Sequence, residues 1–268
     1  MIRTAVVGAA GRMGRMLIAQ IGADPELTLS GAVEFPGCPL LGKDAGTVAG
    51  TGEAGIAIVD GIEAVLEGTD AVIDFSAPES TLATAPKAVA AGASLVVGTT
   101  PLSAGHRQVL QELARGGGRI LATPNMSVGI NLLFALCAKV APILAADYDI
   151  EVVEMHHNRK KDAPSGTAVR LGEILAQSTG RDYAGVAVHG RSGMVGARTR
   201  REIGMHALRG GDVVGDHTVI FATDGERVEL THRASSRETF AKGALRAVKF
   251  LATAAPGLYD MQDVLGLR

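Results

Sequence analysis

The segment 151–168, with the sequence E-V-V-E-M-H-H-N-R-K-K-D-A-P-S-G-T-A, carries the residue types best suited to chemistry in this chain. His156 and His157 can exchange protons near neutral pH, and Lys160 offers a positive charge three residues later. A strand that continued through both histidines would point them to opposite faces. A loop that begins there would let both face one pocket.

The residues D-A-P-S-G-T that follow predict the start of a helix. Ser165 is a candidate N-cap, and Gly166 and Thr167 occupy the first turn. Small residues there leave backbone N–H groups open to an incoming anion, and the threonine hydroxyl adds one more donor. Together with the imidazoles and Lys160, this helix start predicts a site for a carboxylate.

Each of these features also has an ordinary structural explanation. A histidine pair at a strand end often lies on the surface without any function. An N-R-K-K run is usually a solvated loop, and D-A-P-S-G-T is a common helix start. The coincidence of all three in one segment favours a site. Metal binding by the histidine pair is a further option, but no third ligand has suitable spacing, so no metal site is predicted.

Such a site needs elements that position it, and the first half of the chain predicts a nucleotide-binding fold. Ile2–Val7 is a β-type run that leads into G-A-A-G-R-M-G and a helical apolar pattern. Gly8 permits the tight turn, Gly11 lets backbone approach a pyrophosphate, and Gly14 lets the helix pack on the strand. The second strand ends at Glu34, about 20 positions later, where a carboxylate reaches the adenosine ribose. The alternative is a plain βαβ turn with a surface glutamate.

Further strand–helix units follow, and they predict a parallel sheet with helices on both faces. The helix T-L-A-T-A-P-K-A-V-A-A-G has a candidate break near Pro86. In such sheets ligands bind beyond the carboxyl ends of the strands. The segments 75–78, 98–100 and 123–126 follow strand ends and are therefore expected to form the nicotinamide side of the site.

The charges near the glycine turn bear on the choice of cofactor. Glu34 would repel the 2′-phosphate of NADPH, and Phe35 follows it where a cation could have held that phosphate. Arg12 is the only nearby cation that the sequence identifies. The expected cofactor is NADH and/or NADPH, with the electrostatics favouring NADH.

The second half of the chain has strands with few helices between them. D-I-E-V-V-E-M-H-H predicts a strand whose candidates for buried positions are Ile150, Val152 and Met155. Asp224-Gly225 predicts a hairpin turn between two later strands. The pattern predicts a mixed, largely open sheet, and because an uncovered sheet face needs a partner, oligomerisation through it is expected.

The expected fold is therefore α/β, with two domains that differ in their secondary-structure pattern. A Rossmann-type dinucleotide-binding domain covers residues 1–129. A second α+β domain with a mixed, largely open sheet covers 130–237 and serves substrate binding and oligomerisation. A C-terminal helix within 238–268 returns to the first domain.

The composition narrows the class of partner. Among 268 residues, 26 basic and 28 acidic side chains leave a net charge of −2, which gives no field to attract nucleic acid or an anionic membrane. Aromatic residues make up 3%, and this speaks against a base-stacking platform. Cys38 and Cys137 lie far apart and are expected to be reduced thiols. The first apolar run is too short for a signal peptide, and the expected location is cytoplasmic.

On these residues the chain resembles the 4-hydroxy-tetrahydrodipicolinate reductase (dihydrodipicolinate reductase) family of the diaminopimelate route to lysine. The resemblance covers essentially the whole chain. It rests on V-V-G-A-A-G-R-M-G, V-I-D-F-S, G-T-T, P-N-M-S-V-G-I-N, E-M-H-H-N-R-K-K-D-A-P-S-G-T-A, I-G-M-H-A-L-R-G-G-D-V-V-G-D-H-T-V and H-R-A-S-S-R. The H-H-x-x-K-x-D-A-P-S-G-T block is highly specific, whereas the glycine turn is not.

The resemblance implies an NAD(P)H-dependent reduction of a cyclic dicarboxylate, 4-hydroxy-tetrahydrodipicolinate, to tetrahydrodipicolinate with loss of water, by a homotetramer. It implies that His156 donates the proton and that Lys160 is the second catalytic residue. It implies that His157, Gly166 and Thr167 bind the substrate. The cofactor contacts that it implies are Gly8, Ala9, Ala10, Gly11, Arg12, Met13, Glu34, Gly98, Thr99, Thr100, Thr123, Pro124, Asn125 and Met126.

The chain departs from the family's pattern at two places. Phe35 stands where an arginine is frequent, which weakens the expectation of tight NADPH binding, and Met126 stands where an aromatic residue is common. Two other kinds of protein are the alternatives. One is a two-domain dehydrogenase acting on a sugar, polyol or amino acid, and the other is a redox sensor that binds NAD(P) without catalysis.

Overall fold

The computed structural model describes residues 1–267, and they form two compact units. Unit 1 comprises Met1–Val128 together with the segment that begins at Glu238, and unit 2 comprises Gly129–Arg237. Each unit has a hydrophobic core of its own. The limit expected from the sequence, residue 129, lies one residue later than Val128. The binding roles given to the two units remain predictions.

A parallel sheet of seven strands forms the centre of unit 1. Its strands are β1 (Ile2–Val7), β2 (Leu27–Val33), β3 (Ile58–Val59), β4 (Ala71–Asp74), β5 (Ser94–Val97), β6 (Arg119–Ala122) and β12 (Gly257–Tyr259). Their order is β12-β6-β5-β4-β1-β2-β3, and every pair is parallel. The central strands β4 and β5 are short, mostly apolar runs that are buried along their whole length, as a sheet covered on both faces requires. The predicted Rossmann-type sheet is confirmed.

Helices cover this sheet and close the core of unit 1. They are α1 (Arg12–Ala23), α2 (Ala45–Ala49), α3 (Pro78–Ala90), α4 (Ala104–Arg115), α8 (Glu238–Thr253) and α9 (Met261–Val264), with a 3-10 turn at Ile62–Val65. The candidate break at Pro86 is wrong, because α3 continues through it. A proline removes one hydrogen bond of the helix, and the burial of Ala85 and Ala88 beside it keeps α3 packed against the core. The helix α8 packs against α1 and strands β4, β5 and β6, so this C-terminal helix belongs to unit 1.

Unit 2 is built on a mixed sheet of five strands. They are β7 (Asp149–His156), β8 (Ala187–His189), β9 (Ile203–Arg209), β10 (Gly215–Thr223) and β11 (Glu226–Ala234). The order is β11-β10-β7-β9-β8, with antiparallel pairs on the β11 side of β7 and parallel pairs on the other. The mixed sheet is confirmed. The predicted hairpin turn is present between β10 and β11, where Gly225 has a φ of +89°.

Only one face of this sheet is covered by helices of unit 2. These helices are α5 (Val128–Leu144), α6 (Gly166–Ser178) and α7 (Tyr183–Val186). Ile150 and Val152 are fully buried in that core, as predicted. The prediction for Met155 is wrong, because β7 keeps a strict alternation that buries Glu154 and His156 and places Met155 on the other face. The buried face of β7 therefore carries two ionisable side chains.

Candidate active site

The glycine turn of unit 1 brings bare backbone to the start of α1. Gly8 has a φ of +80°, and a Cβ there would lie 2.7 Å from the carbonyl oxygen of Phe75. A side chain at Gly14 would clash with the backbone of Gly8 and Ala9, so the turn packs directly on the helix. Gly11 is the N-cap of α1, and as a glycine it has no side chain that could cap the first turn. The turn therefore fits the diphosphate of a dinucleotide, whose charge the open helix start would stabilise.

The carboxylate of Glu34 lies beside this turn at the end of β2. Its Oε1 accepts a hydrogen bond of 2.8 Å from the backbone N–H of Ala10, and its Oε2 accepts one of 3.2 Å from the N–H of Phe35. Arg12 and Phe35 are both exposed next to it. A negative charge is thus fixed at the edge of the turn, where an adenosine ribose is bound in folds of this type.

The ends of β4 and β5 are held together by a buried carboxylate that the sequence did not single out. Asp74 is fully buried and accepts hydrogen bonds from Ser76 N at 2.9 Å, Ser76 Oγ at 2.5 Å and Thr99 Oγ1 at 3.1 Å. Any side chain at Gly98 would clash with the ring of Phe75. The loops that follow β4 and β5 are therefore packed tightly against each other. Gly98 and Thr100 retain exposure, while the side chain of Thr99 is used inside the loop.

The end of β6 is fixed in a similar way by its own side chains. Thr123 Oγ1 donates to the carbonyl of Asn125 at 3.2 Å, and Asn125 Oδ1 accepts from Ser127 N at 2.8 Å. Pro124 is exposed, whereas the side chain of Met126 is buried in the core of unit 1. Of this segment, Pro124 and the half-buried Asn125 are the residues with surface to offer a ligand.

Unit 2 places a group of ionisable side chains at the end of β7. Oε2 of Glu154 lies 2.6 Å from Nδ1 of His156, and Arg209 at the end of β9 donates to both oxygens of Glu154, at 2.8 Å and 3.0 Å. Burial of the carboxyl group would raise the pKa of Glu154. The hydrogen bonds from His156, Arg209 and the Ser165 N–H outweigh that effect and lower the pKa to about 2.

The start of α6 lies next to this group. Ser165 is the N-cap, as predicted, and its Oγ accepts a hydrogen bond of 3.2 Å from Ala168 N. Gly166 is exposed, and a Cβ there would meet no atom within 4 Å. The first turn of α6 is therefore open to a ligand of the anionic kind that helix starts favour.

His217 of β10 is a buried neighbour of His156. The two rings meet edge to face with centroids 5.2 Å apart, and Nε2 of His217 lies 3.1 Å from Ser165 Oγ. Burial, together with the charge of His156, lowers the pKa of His217 to about 3. This ring is therefore neutral at neutral pH and adds no positive charge beside His156.

The loop after β7 gathers positive charge. Nζ of Lys160 lies 2.9 Å from Asp162 Oδ1, with a fifth of its side chain exposed. Burial and the charges of Arg237 and Arg159 lower the pKa of His157. Cations around a partly buried neutral imidazole provide both charge and hydrogen-bonding capacity for an anionic ligand.

Two family descriptions cover nearly the whole chain. "Dihydrodipicolinate reductase, N-terminus" matches residues 2–126, and "Dihydrodipicolinate reductase, C-terminus" matches residues 129–265. The chain belongs to the dihydrodipicolinate reductase family. The resemblance found in the sequence motifs is thereby confirmed, and members of this family are nicotinamide dinucleotide-dependent reductases.

Individual members of the family match over their full length. The chain is 52% identical to the 4-hydroxy-tetrahydrodipicolinate reductase of Syntrophotalea carbinolica and 50% identical to that of Geotalea daltonii, with 100% of both chains covered in each case. The solved dipicolinate-bound dihydrodipicolinate reductase from Paenisporosarcina sp. TG-14 superposes with a TM-score of 0.76 at 20% identity, over 98% of each chain. A myo-inositol dehydrogenase from Corynebacterium glutamicum shares the fold more distantly, with a TM-score of 0.59 at 15% identity.

The structure distributes the residues expected from the sequence over two groups. In unit 2, one strand end, one loop and one helix start hold the expected catalytic and substrate-binding residues, namely His156, His157, Lys160, Gly166 and Thr167. In unit 1, the glycine turn and three strand ends hold the expected cofactor-binding residues. The roles of these residues remain predictions. Among the residues described, no cluster of side chains suited to hold a metal ion is present, and no helix is long and apolar enough to cross a bilayer.

The sequence reasoning missed Glu154, Arg209 and His217. Glu154 could have been found, because a glutamate two residues before a histidine on a strand shares its face. Arg209 and His217 lie within the motif I-G-M-H-A-L-R-G-G-D-V-V-G-D-H-T-V, but nothing in that motif connects them with β7. They reach the site through strand pairing, 55 and 52 residues away from the side chains that they contact.

Proposed function

We propose that this chain catalyses the NAD(P)H-dependent reduction of 4-hydroxy-tetrahydrodipicolinate to tetrahydrodipicolinate with loss of water, in the diaminopimelate route to lysine. The proposal is carried by one observation, which is identity of 50–52% over the full length of relatives that bear the name of this reductase. The segment at His156–Thr167 supports it, because the charges and the open helix start gathered there suit a small dicarboxylate.

His156 serves as the proton donor and Lys160 as the cation that stabilises negative charge on the substrate during reduction. A buried imidazole held at one nitrogen can deliver a proton from the other, and an ammonium in a partly desolvated loop stabilises an anion more strongly than in water. The first turn of α6, at Gly166 and Thr167, binds one carboxylate through backbone N–H groups. His157 and Lys160 bind the other.

The cofactor is held by the glycine turn, Glu34 and the strand ends of unit 1. When bound, the reduced nicotinamide supplies the hydride. We infer a preference for NADH, because the carboxylate of Glu34 is fixed beside the turn and Phe35 offers no charge to a 2′-phosphate. The preference predicts a lower KM for NADH than for NADPH. Glu34→Gln is expected to bring the two KM values closer together.

A coupled assay tests the function directly. Pyruvate and aspartate semialdehyde are supplied with the preceding synthase, so that the unstable substrate forms in place, and loss of reduced-cofactor absorbance is followed with NADH and NADPH in parallel. Turnover that requires the synthase is expected. Absence of turnover with both cofactors would overturn the proposal. A redox sensor would bind the cofactor without consuming it, and a dehydrogenase of another substrate class would respond to its sugar, polyol or amino acid instead.

We also propose that the protein is a cytoplasmic homotetramer assembled through the uncovered face of the unit 2 sheet. That face carries Val153, Leu208 and Ile220, of which Leu208 is 45% exposed, and apolar side chains on an uncovered sheet call for a partner. Cys38 and Cys137 are both unpaired, as in a reducing compartment. Analytical ultracentrifugation tests the assembly, since Ile220→Glu is expected to yield smaller species, and a monomeric wild type would refute the tetramer.

A further inference from the structure

Glu154 is a buried carboxylate to which the proposed reaction gives no role. It lies two residues before His156 on β7, so both side chains point to the face of the sheet covered by α6. The exposed fraction of its side chain is 0%. A buried carboxylate is costly unless its oxygens are fully hydrogen-bonded, so its presence at this place calls for an explanation.

Four hydrogen bonds satisfy this carboxylate. Oε2 faces His156 Nδ1 at 2.6 Å and accepts from Arg209 Nη1 at 2.8 Å. Oε1 accepts from Arg209 Nη2 at 3.0 Å and from Ser165 N at 2.9 Å. These bonds lower the pKa of Glu154 to about 2 despite its burial, so the group is an anion at working pH. An ionised carboxylate only accepts hydrogen bonds, and Nδ1 of His156 must therefore carry the proton between them.

This arrangement leaves the other ring nitrogen for chemistry. Among the described residues, Nε2 of His156 has no hydrogen-bond partner, and the residue keeps 9% of its surface exposed. Nε2 faces the backbone of Gly215, where a Cβ would lie only 3.0 Å away. His217 does not compete for it, because its Nε2 is engaged with Ser165 Oγ.

We propose that Glu154 is a positioning residue of the reaction, which fixes the Nδ1–H form of His156 so that Nε2 gives up the proton. The inference rests on the proposed function, since it takes His156 as the proton donor. In the charged ring, Glu154 stabilises the imidazolium. After Nε2–H has passed its proton to the substrate, the neutral ring keeps Nδ1–H, and Glu154 remains an ionised carboxylate throughout.

The same carboxylate is connected to Lys160. Arg209 donates from Nη2 to the carbonyl oxygen of Asp162 at 2.6 Å, and the carboxylate of Asp162 pairs with Lys160 at 2.9 Å. Glu154 therefore holds one proposed catalytic group directly and supports the loop of the other through Arg209. Since Glu154 is buried away from solvent and is already saturated with donors, it has no capacity left for a contact with substrate.

The experiment measures the tautomer of His156 as well as turnover. Nitrogen-15 NMR of histidine-labelled enzyme without substrate, at a pH where the ring is neutral, is expected to show Nδ1 protonated and Nε2 unprotonated, with the signals assigned by their loss in His156→Gln. Glu154→Gln replaces one oxygen with a donor that can point at Nδ1, so the Nε2–H form is expected to appear. Its kcat is expected to fall on the order of 10²-fold. KM is expected to change by less than about threefold, because Glu154 binds no substrate.

Glu173→Gln is the matched control, because it removes a carboxylate from an exposed pair with Arg170 on α6 and touches no histidine. It is expected to retain the wild-type tautomer and kcat. A neutral His156 protonated at Nε2 in the wild-type enzyme overturns the inference, even if Glu154→Gln fails to fold. An unchanged tautomer and kcat in Glu154→Gln overturns it as well. If His156→Gln instead turns over normally while the Nδ1–H form is observed, the catalytic role proposed for His156 is what fails.

Discussion

The two faces of β7 carry similar sets of side chains with different consequences. On the covered face, Glu154 contacts His156 at 2.6 Å and pairs with Arg209. On the other face, Glu151 contacts His206 at 2.6 Å and pairs with two arginines of the segment before β9, Arg191 and Arg198. Both sets thus combine glutamate, histidine and arginine within hydrogen-bonding distance.

Burial and the state of the histidine separate the two sets. The side chain of Glu151 is 20% exposed, whereas that of Glu154 is 0% exposed. His206 uses Nε2 to bind its glutamate from within a strand, while His156 uses Nδ1 at a strand end and keeps Nε2 available. Only the covered face adds a helix start beside the histidine. Identical residue types therefore form a candidate active site on one face and anchor a surface segment on the other.

Of the substitutions on the two faces, removal of the histidine on the covered face is expected to have the largest effect on catalysis. His156→Gln is expected to lower kcat by about 10²–10⁴-fold, because a neutral amide cannot act as a general acid. KM is expected to change little. Steady-state kinetics in the coupled assay checks this, and a variant with wild-type constants would reject the role of His156.

Lys160→Ala tests whether the positive charge in the loop after β7 also serves substrate binding. Loss of the ammonium is expected to reduce kcat by about 10-fold or more and to raise KM for the substrate, because the role proposed for this cation is both to bind a carboxylate and to stabilise the developing anion. Lys161→Ala is the control, since Lys161 is an exposed neighbour in the same loop. Equal effects of the two substitutions would argue against a specific role for Lys160.

His217→Gln tests how a buried histidine on the covered face makes the free energy of unfolding depend on pH. The folded-state pKa of His217, about 3, lies below its ordinary value of 6.5, so the unfolded chain takes up a proton over this window that the folded chain does not. The free energy of unfolding therefore falls as the pH drops from 6.5 towards 3. The variant is expected to lose the part of this dependence that His217 contributes, a difference of up to about 1 kcal/mol per pH unit in denaturant titrations, while the contributions of Glu154 and His157 remain. His189→Gln, at an exposed histidine, should retain the wild-type slope.

The smallest effect on catalysis is expected on the open face. Glu151→Gln weakens the pairs with Arg191 and Arg198, so the segment 190–202 should become more susceptible to trypsin. Partly exposed pairs contribute about 1 kcal/mol or less, and kcat should fall far less than with Glu154→Gln. Comparable losses of kcat in both variants would remove the distinction between the two faces.

Local patterns were sufficient for much of the fold. The strand at Ile2–Val7, the N-cap at Ser165 and the hairpin turn before β11 were predicted correctly, because turn chemistry and side-chain alternation act over a few residues. The same rule was applied incompletely at β7. Strict alternation from Ile150 and Val152 leads to Glu154 and His156, and the hydrophobic character of Met155 drew the prediction to the wrong face.

Residue types and spacing were enough to identify the family, the glycine turn that packs on α1, and the residues from His156 to Thr167 that stand at a strand end and a helix start. Which other side chains complete that group depends on how distant strands pair. Arg209 and His217 arrive on β9 and β10, whose register with β7 pairs Arg209 with His156 and His217 with Glu154. From these positions the side chain of Arg209 contacts Glu154 and that of His217 contacts Ser165. The physical reason is that register between distant strands follows from the burial of whole faces, and no short stretch of sequence contains that information.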